Sequence, residues 1–222
     1  MSRKDLTCAV CLYPLLDPTD FQGSLELFSY ISPASIERIG WSPAPTYSIT
    51  PDYLGVTTEL VQGTSGPALA PTRTYDSVKP DEAYDIIFVP GGIGSRPELA
   101  QSAVLKFLTE FAPKATWVLS ACTGSELLAR IGWLDGKRAT TNKSVYKQVT
   151  ARYETVKWVA HARWTVDGNT WTSSGVTAGA DMGYAFLKQL IGDELANKIR
   201  GIVEMTEHRQ DDDEFAAMHG LE

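Results

Sequence analysis

Histidine is scarce in this chain, with three in 222 residues: His161, His208 and His219. A hydrolase that parks the transferred proton on an imidazole needs one beside its nucleophile. His161 sits by the stretch "VKWVAHARW" and the other two fall in an acidic C-terminal segment, so none lies where a triad partner belongs. A cysteine–histidine protease or amidase is therefore disfavoured. Cysteine is equally sparse, and an odd count of three is far below a disulfide scaffold. Basic residues are outnumbered, 20 Lys+Arg against 27 Asp+Glu, and the resulting charge of −7 disfavours a nucleic-acid or anionic-membrane partner. No run approaches the roughly 20 apolar residues of a membrane span. The opening "MSRKDLTCAVCLYPLL" has the outline of a leader, but Asp5 and Pro14 interrupt it. Linkers, internal repeats and low-complexity tracts are also missing. The expectation is one soluble, cytoplasmic domain over residues 1–222, with no membrane or nucleic-acid partner.

What is present is ordinary core material, 43% hydrophobic against 21% charged. Cys8 and Cys11 form a C-x-x-C inside the apolar run "LTCAVCLY", which reads as a buried strand. Residues three apart on a strand face opposite ways, and a second ligand pair is missing, so these are core thiols rather than a metal or redox site.

Four apolar runs stand out: "TCAVCLY" (7–13), "YDIIFVP" (84–90), "ATWVLS" (115–120) and "TWTSSG" (170–175). Each is followed by a turn and a helical pattern, which predicts a parallel sheet with helices on both faces. "TYSITPDYLGVTTEL" and "VKWVAHARWTVDGNTWTSS", the latter with an Asp167–Gly168 turn, read as a small antiparallel addition. The tail "HRQDDDEFAAMHGLE" reads as a solvated segment.

Open parallel sheets bind ligands at the carboxyl ends of their strands. Four such ends carry unusual residues: Asp20 in "YPLLDPTDFQG", Gly91, Gly92 and Gly94 in "VPGGIGSRPEL", Cys122 in "SACTGS", and Gly175 in "TSSGVTAGAD". The glycine turn matches neither G-x-G-x-x-G nor a P-loop, leaving a tight turn or an oxyanion cradle. Cys122 sits where a strand passes sharply into a helix, the topology of a nucleophile elbow, yet packing is an equal reading. A helix dipole of about 0.3–2 kcal/mol lowers a thiol pKa only to roughly 7–8. Asp20 is readable as a helix cap or as an acid at the same edge. Tyr13, Phe21 and Trp133 read as core rather than pocket lining.

Together "VPGG", "SACTGSELLARIGWLDGKRATTN", "WTSSGVTAGADMGYAFL" and "VEMTEHRQDDDEFA" resemble the DJ-1/PfpI superfamily, and within it the isocyanide hydratase-like branch. The resemblance implies a flavodoxin-like α/β sandwich and a homodimer. It implies Cys122 as nucleophile, Asp20 as its acid, and oxyanion donors at the N–H groups of Gly92 and Thr123, with Gly91 and Gly175 completing the substrate-binding set. The implied activity is cofactor- and metal-independent hydration of a small electrophile, first an isocyanide to an N-substituted formamide. Hydration of a 2-oxoaldehyde, a tailoring step in secondary metabolism, and a non-catalytic cysteine redox sensor are the alternatives. Many relatives carry a histidine after "RATT", where this chain has Asn142, which counts against glyoxalase-like chemistry. Some fuse the domain to a DNA-binding module; the absence of a basic segment before Glu222 argues against that role here.

Overall fold

The computed structural model describes residues 3–221. In chain order the elements are β1 (Lys4–Cys11), α1 (Thr19–Ser29), α2 (Pro33–Ile39), β2 (Tyr47–Gly55), β3 (Arg73–Thr74), β4 (Ile86–Val89), α3 (Ser102–Phe111), β5 (Trp117–Ser120) and α4 (Gly124–Arg130). They continue through β6 (Arg138–Ala139), α5 (Tyr146–Arg152), β7 (Lys157–Trp158), β8 (Trp164–Asp167), β9 (Thr170–Ser173), α6 (Val176–Ile191), α7 (Asp193–Ile202) and α8 (Phe215–Met218).

Seven strands form one sheet in the order β3-β2-β1-β4-β5-β9-β8, parallel except for the antiparallel β8–β9 hairpin. β4 and β9 are buried along their whole length, which is why they read as unbroken apolar or small-residue runs rather than alternating ones. Aromatic side chains pack on the sheet in two groups, Phe28, Phe186, Trp117 and Trp171 in one and Tyr75, Tyr84, Phe107 and Phe111 in the other. Helices α1, α3 and α6 of this flavodoxin-like fold carry four of them, Phe28, Phe107, Phe111 and Phe186. Cys8 and Cys11 are fully buried free thiols, as expected of core positions. Burial pushes the Cys11 thiol up to about 12 and that of Cys8 higher still.

Three expectations need correction. Residues 46–60 are not part of an antiparallel addition: β2 runs parallel to β1 over its full length, from Lys4↔Tyr47 to Cys11↔Leu54. Pro51 suggested an edge, and β2 is nearly one, since β3 covers only its last two residues and leaves the proline's far side unpaired. The hairpin turns at Asp167–Gly168 as expected, with Gly168 at φ 59°, but "VKW" is not in it. β7 pairs instead with β6 in a separate two-stranded parallel sheet. The acidic tail is not simply solvated either. Asp213 and Ala216 are buried, and Asp213 accepts the ammonium of buried Lys143 at 3.2 Å and the Ala162 N–H at 3.0 Å.

Candidate active site

The chain leaves β1 outward through β2 and β3, then returns to β4 on the other side of β1. Strand order thus reverses between β1 and β4, the position where open α/β sheets form a crevice. Asp20 follows β1, Gly91 and Gly92 follow β4, and Cys122 follows β5, so three of the four strand ends converge there.

Cys122 occupies the left-handed region at φ 55°, a conformation that costs a non-glycine residue about 1–3 kcal/mol unless its surroundings impose it. Four hydrogen bonds impose it. The Cys122 N–H donates to Ser174 O at 2.8 Å and Ser173 O at 3.2 Å, at the end of β9. Its carbonyl accepts from Ser125 Oγ at 3.0 Å and Thr141 Oγ1 at 3.2 Å. This is the sharp strand-to-helix elbow predicted from the sequence. The residue is 7% exposed and opens on a cavity of about 340 Å³.

Asp20 is fully buried in the first turn of α1. It does not cap the helix, because Pro18 holds the cap position and no side chain bonds there. Instead Oδ2 accepts the Gly91 N–H at 2.8 Å, and Oδ1 is buried without a formed hydrogen bond. Burial, then the charge of Asp17, raises its pKa to about 7; the Gly91 N–H, which donates to the carboxylate, and the neighbouring Cys122 thiol pull the other way. Asp20 does not itself line the cavity, whereas the thiol does.

The thiol departs from expectation. Rather than being drawn down by the helix dipole, it is pushed up to about 12, first by burial and then by the Asp20 charge. α4 is only seven residues long, and its dipole does not offset desolvation of a sulfur anion. Asn142 and the Thr123 N–H act the other way, as donors that favour the thiolate. Asn142 Nδ2 lies 3.1 Å from Sγ.

The glycine turn is held against this elbow. Gly92, at φ 122°, donates its N–H to Thr123 Oγ1 at 3.0 Å, and Ser95 Oγ donates to the same oxygen at 2.8 Å. Gly91 is a close-approach position: a Cβ there would lie 2.4 Å from Thr123 N and 2.9 Å from Asp20 Oδ2. Among the expected substrate-binding residues, Gly92 and Thr123 line the cavity over Cys122. Gly91 does not, its N–H being committed to Asp20. Gly175, at the start of α6, lines a neighbouring cavity that shares Asn142 and Ser144 as a wall.

No histidine lines the thiol cavity. His161 contacts Asp211 O at 3.0 Å, His208 contacts Asp181 at 3.1 Å, and His219 faces the neighbouring cavity. Tyr13 and Phe21 are buried, and Trp133 is tied to Thr170 Oγ1 at 3.1 Å; none of the three lines this cavity. Sequence reasoning missed three participants. Asp17 acts on the acid through its charge. Glu126, in the first turn of α4, is buried in the cavity wall and accepts Arg152 Nη1 at 2.8 Å. Asn142 appeared only as a missing histidine. None of the three carried a periodic signal in the sequence, since Cys122 precedes α4 in the left-handed region and shares no helical face with Glu126.

Relatives share this scaffold. An isonitrile hydratase of Pseudomonas putida is 30% identical over 190 residues, covering 85% of this chain and 74% of that protein. A deglycase of Pyrococcus horikoshii is 31% identical over 135 residues, 59% of this chain and 74% of its own length. The crystal structure of a ThiJ/PfpI family protein from Pseudomonas syringae superposes with a TM-score of 0.78 at 22% identity, covering 99% of this chain and 86% of that one. The DJ-1/PfpI family model matches residues 34–189, a stretch that holds the glycine turn and the cysteine elbow but not Asp20. By that match and by its likeness to the hydratase, the chain is a member of the DJ-1/PfpI family.

Proposed function

We propose that this protein is a cysteine-dependent hydratase that converts a small isonitrile to an N-substituted formamide. The observation that carries the reading is the pairing of Cys122 with a buried acid whose pKa stands at about 7, in a cavity with no histidine on its wall. A group titrating near neutrality is suited to give and take a proton in the same cycle. The likeness to an isonitrile hydratase supports the choice of substrate, and a cavity of about 340 Å³ suits a small molecule.

In this reading the Asp20 carboxylate first takes the thiol proton. The thiolate of Cys122 then adds to the terminal carbon of R–N≡C, and Asp20 returns the proton to that carbon, leaving a thioimidate, R–N=CH–S. Asp20, again a carboxylate, removes a proton from water as the hydroxide oxygen bonds to the same carbon, and passes that proton to the nitrogen. Collapse follows: Asp20 takes the hydroxyl proton, the C=O bond forms, the C–S bond breaks and the thiolate leaves. The sum is R–NC plus H₂O to R–NH–CHO, with no change in net oxidation level and no demand for a metal or redox cofactor. The N–H groups of Gly92 and Thr123, now engaged on Thr123 Oγ1 and on the sulfur, are the donors nearest to hand for the developing charge.

A panel of alkyl and aryl isonitriles beside methylglyoxal tests the proposal. Formamide production by the native protein, lost in Cys122→Ala, is expected; turnover of methylglyoxal alone, or full isonitrile turnover by the alanine variant, overturns it. A single domain acting as a cytoplasmic homodimer belongs to the same proposal, and light scattering reads the dimer.

A further inference from the structure

We propose that Asn142 is a catalytic residue of this site, the fixed donor that holds the negative charge on Cys122 while Asp20 alone handles the proton. The inference rests on Cys122 being the nucleophile, though not on any particular substrate.

The orientation of the Asn142 amide is not free. Its Oδ1 accepts from the Ser144 N–H at 2.9 Å and from Ser144 Oγ at 2.6 Å. A backbone N–H can only donate, so the oxygen must face Ser144 and the NH₂ must face the sulfur, 3.1 Å away. A neutral thiol is a weak acceptor, whereas a thiolate accepts strongly. The contact is therefore worth most in the ionised state that attacks, which is the differential stabilisation catalysis needs.

The segment carrying this amide is clamped on both flanks. Before it, Thr141 Oγ1 donates to the Cys122 carbonyl at 3.2 Å, which ties the Asn142 segment to the elbow itself. After it, buried Lys143 donates to Thr140 Oγ1 at 2.8 Å and Ala162 O at 2.9 Å, and pairs with Asp213 at 3.2 Å. A donor held this firmly needs no reorganisation when charge develops on the sulfur.

An amide also cannot accept the thiol proton in water's pH range. An imidazole in its place would compete for it. With Asn142 donating to the sulfur at 3.1 Å and the Asp20 carboxylate acting on it by charge, charge and proton go to different residues. That division suits a cycle in which the proton must be returned to the carbon bonded to the same sulfur.

The test is alkylation of Cys122 by iodoacetamide, followed by mass spectrometry across pH 5–10 in the native protein and in Asn142→Leu, Asn142→Asp and Ser144→Ala. Alkylation needs thiolate but no isonitrile. Asn142→Leu is expected to lower the rate at each pH by about 10- to 100-fold, the worth of a hydrogen bond to a charged group. Asn142→Asp keeps the acceptor for Ser144, and so guards against a folding defect, while setting a carboxylate against the sulfur. Its deficit is expected to exceed that of leucine above pH 6 and to narrow on acidification, as the carboxyl regains a proton to donate. Ser144→Ala, which leaves the backbone N–H anchor, is expected to show a smaller loss. Alkylation profiles of both Asn142 variants that superimpose on the native one overturn the proposal. Should the native protein hydrate no isonitrile while the alkylation rates fall as described, the substrate reading fails and the role of Asn142 stands.

Discussion

Replacing Asp20 by Asn should stabilise the protein, and by more at high pH than at low. An aspartate in the unfolded chain ionises near 3.9, whereas in the folded protein Asp20 ionises at about 7 because it is buried beside Asp17. Between those values the folded state holds a proton that the unfolded state has released. Stability therefore falls as pH rises through this window, since the slope follows protons bound in the unfolded minus the folded state. A gap of about three pKa values at 1.36 kcal/mol each sets an upper bound of about 4 kcal/mol, and relaxation around a buried charge reduces it to about 2–4. Asparagine escapes the penalty, because its amide oxygen can still accept the Gly91 N–H while carrying no charge to desolvate. Urea unfolding at pH 4.5 and pH 8 reads the difference. The advantage of Asp20→Asn over the native protein should grow by about 2–3 kcal/mol between the two, while the proposed hydratase activity is lost. An advantage that is the same at both pH values would refute the assignment of an elevated pKa to this carboxyl.

Further outcomes follow from neighbouring groups. Gly91→Ala puts a methyl group 2.4 Å from Thr123 N, so the two turns must separate; activity should fall by about 100-fold or more, as for an ångström-scale misplacement, with the far-ultraviolet spectrum unchanged. Asp213→Ala strands the Lys143 ammonium in a buried site and should cost about 3–5 kcal/mol in urea unfolding, although the residue touches neither the thiol nor its cavity. Thiol titration should find one slowly reacting cysteine in the folded protein and three after denaturation, because Cys8 and Cys11 are fully buried while Cys122 opens on a cavity.

Much of this architecture was legible because parallel strands buried on both faces are written as short, continuous runs. β4, β5 and β9 fell within such runs, β1 overlapped its run but began three residues earlier, and each led into the expected helix. β2 was misread because Pro51 argues against a central strand, and local sequence does not reveal that the proline's far side would be left unpaired. The tail was misread for a different reason. An Asp in "QDDDEF" looks solvated until its partner is known, and Lys143 lies 70 positions earlier in the chain. Asp20 was readable as a helix cap or as an acid at the edge of Cys122, and only the resemblance favoured the acid, since no periodicity links residues on different strand ends.

The thiol shows most clearly what one-dimensional reasoning weighs wrongly. Sequence displays a helix start after Cys122 and so advertises its dipole, an effect of at most about 2 kcal/mol. It does not display burial, which acts on an anion more strongly and with opposite sign. The two errors share one cause: the electrostatics of this site come from groups brought in by other strands. Asp17 and Asp20 arrive after β1, Gly91 after β4 and Asn142 after β6. A chemist placing a thiol here for reactivity alone would supply a cation to hold it ionised. This chain supplies an acid and a neutral amide instead. Burial and the Asp20 charge keep the thiol protonated at rest, and in the proposed cycle it ionises by handing its proton to Asp20, so the two groups titrate as one coupled pair.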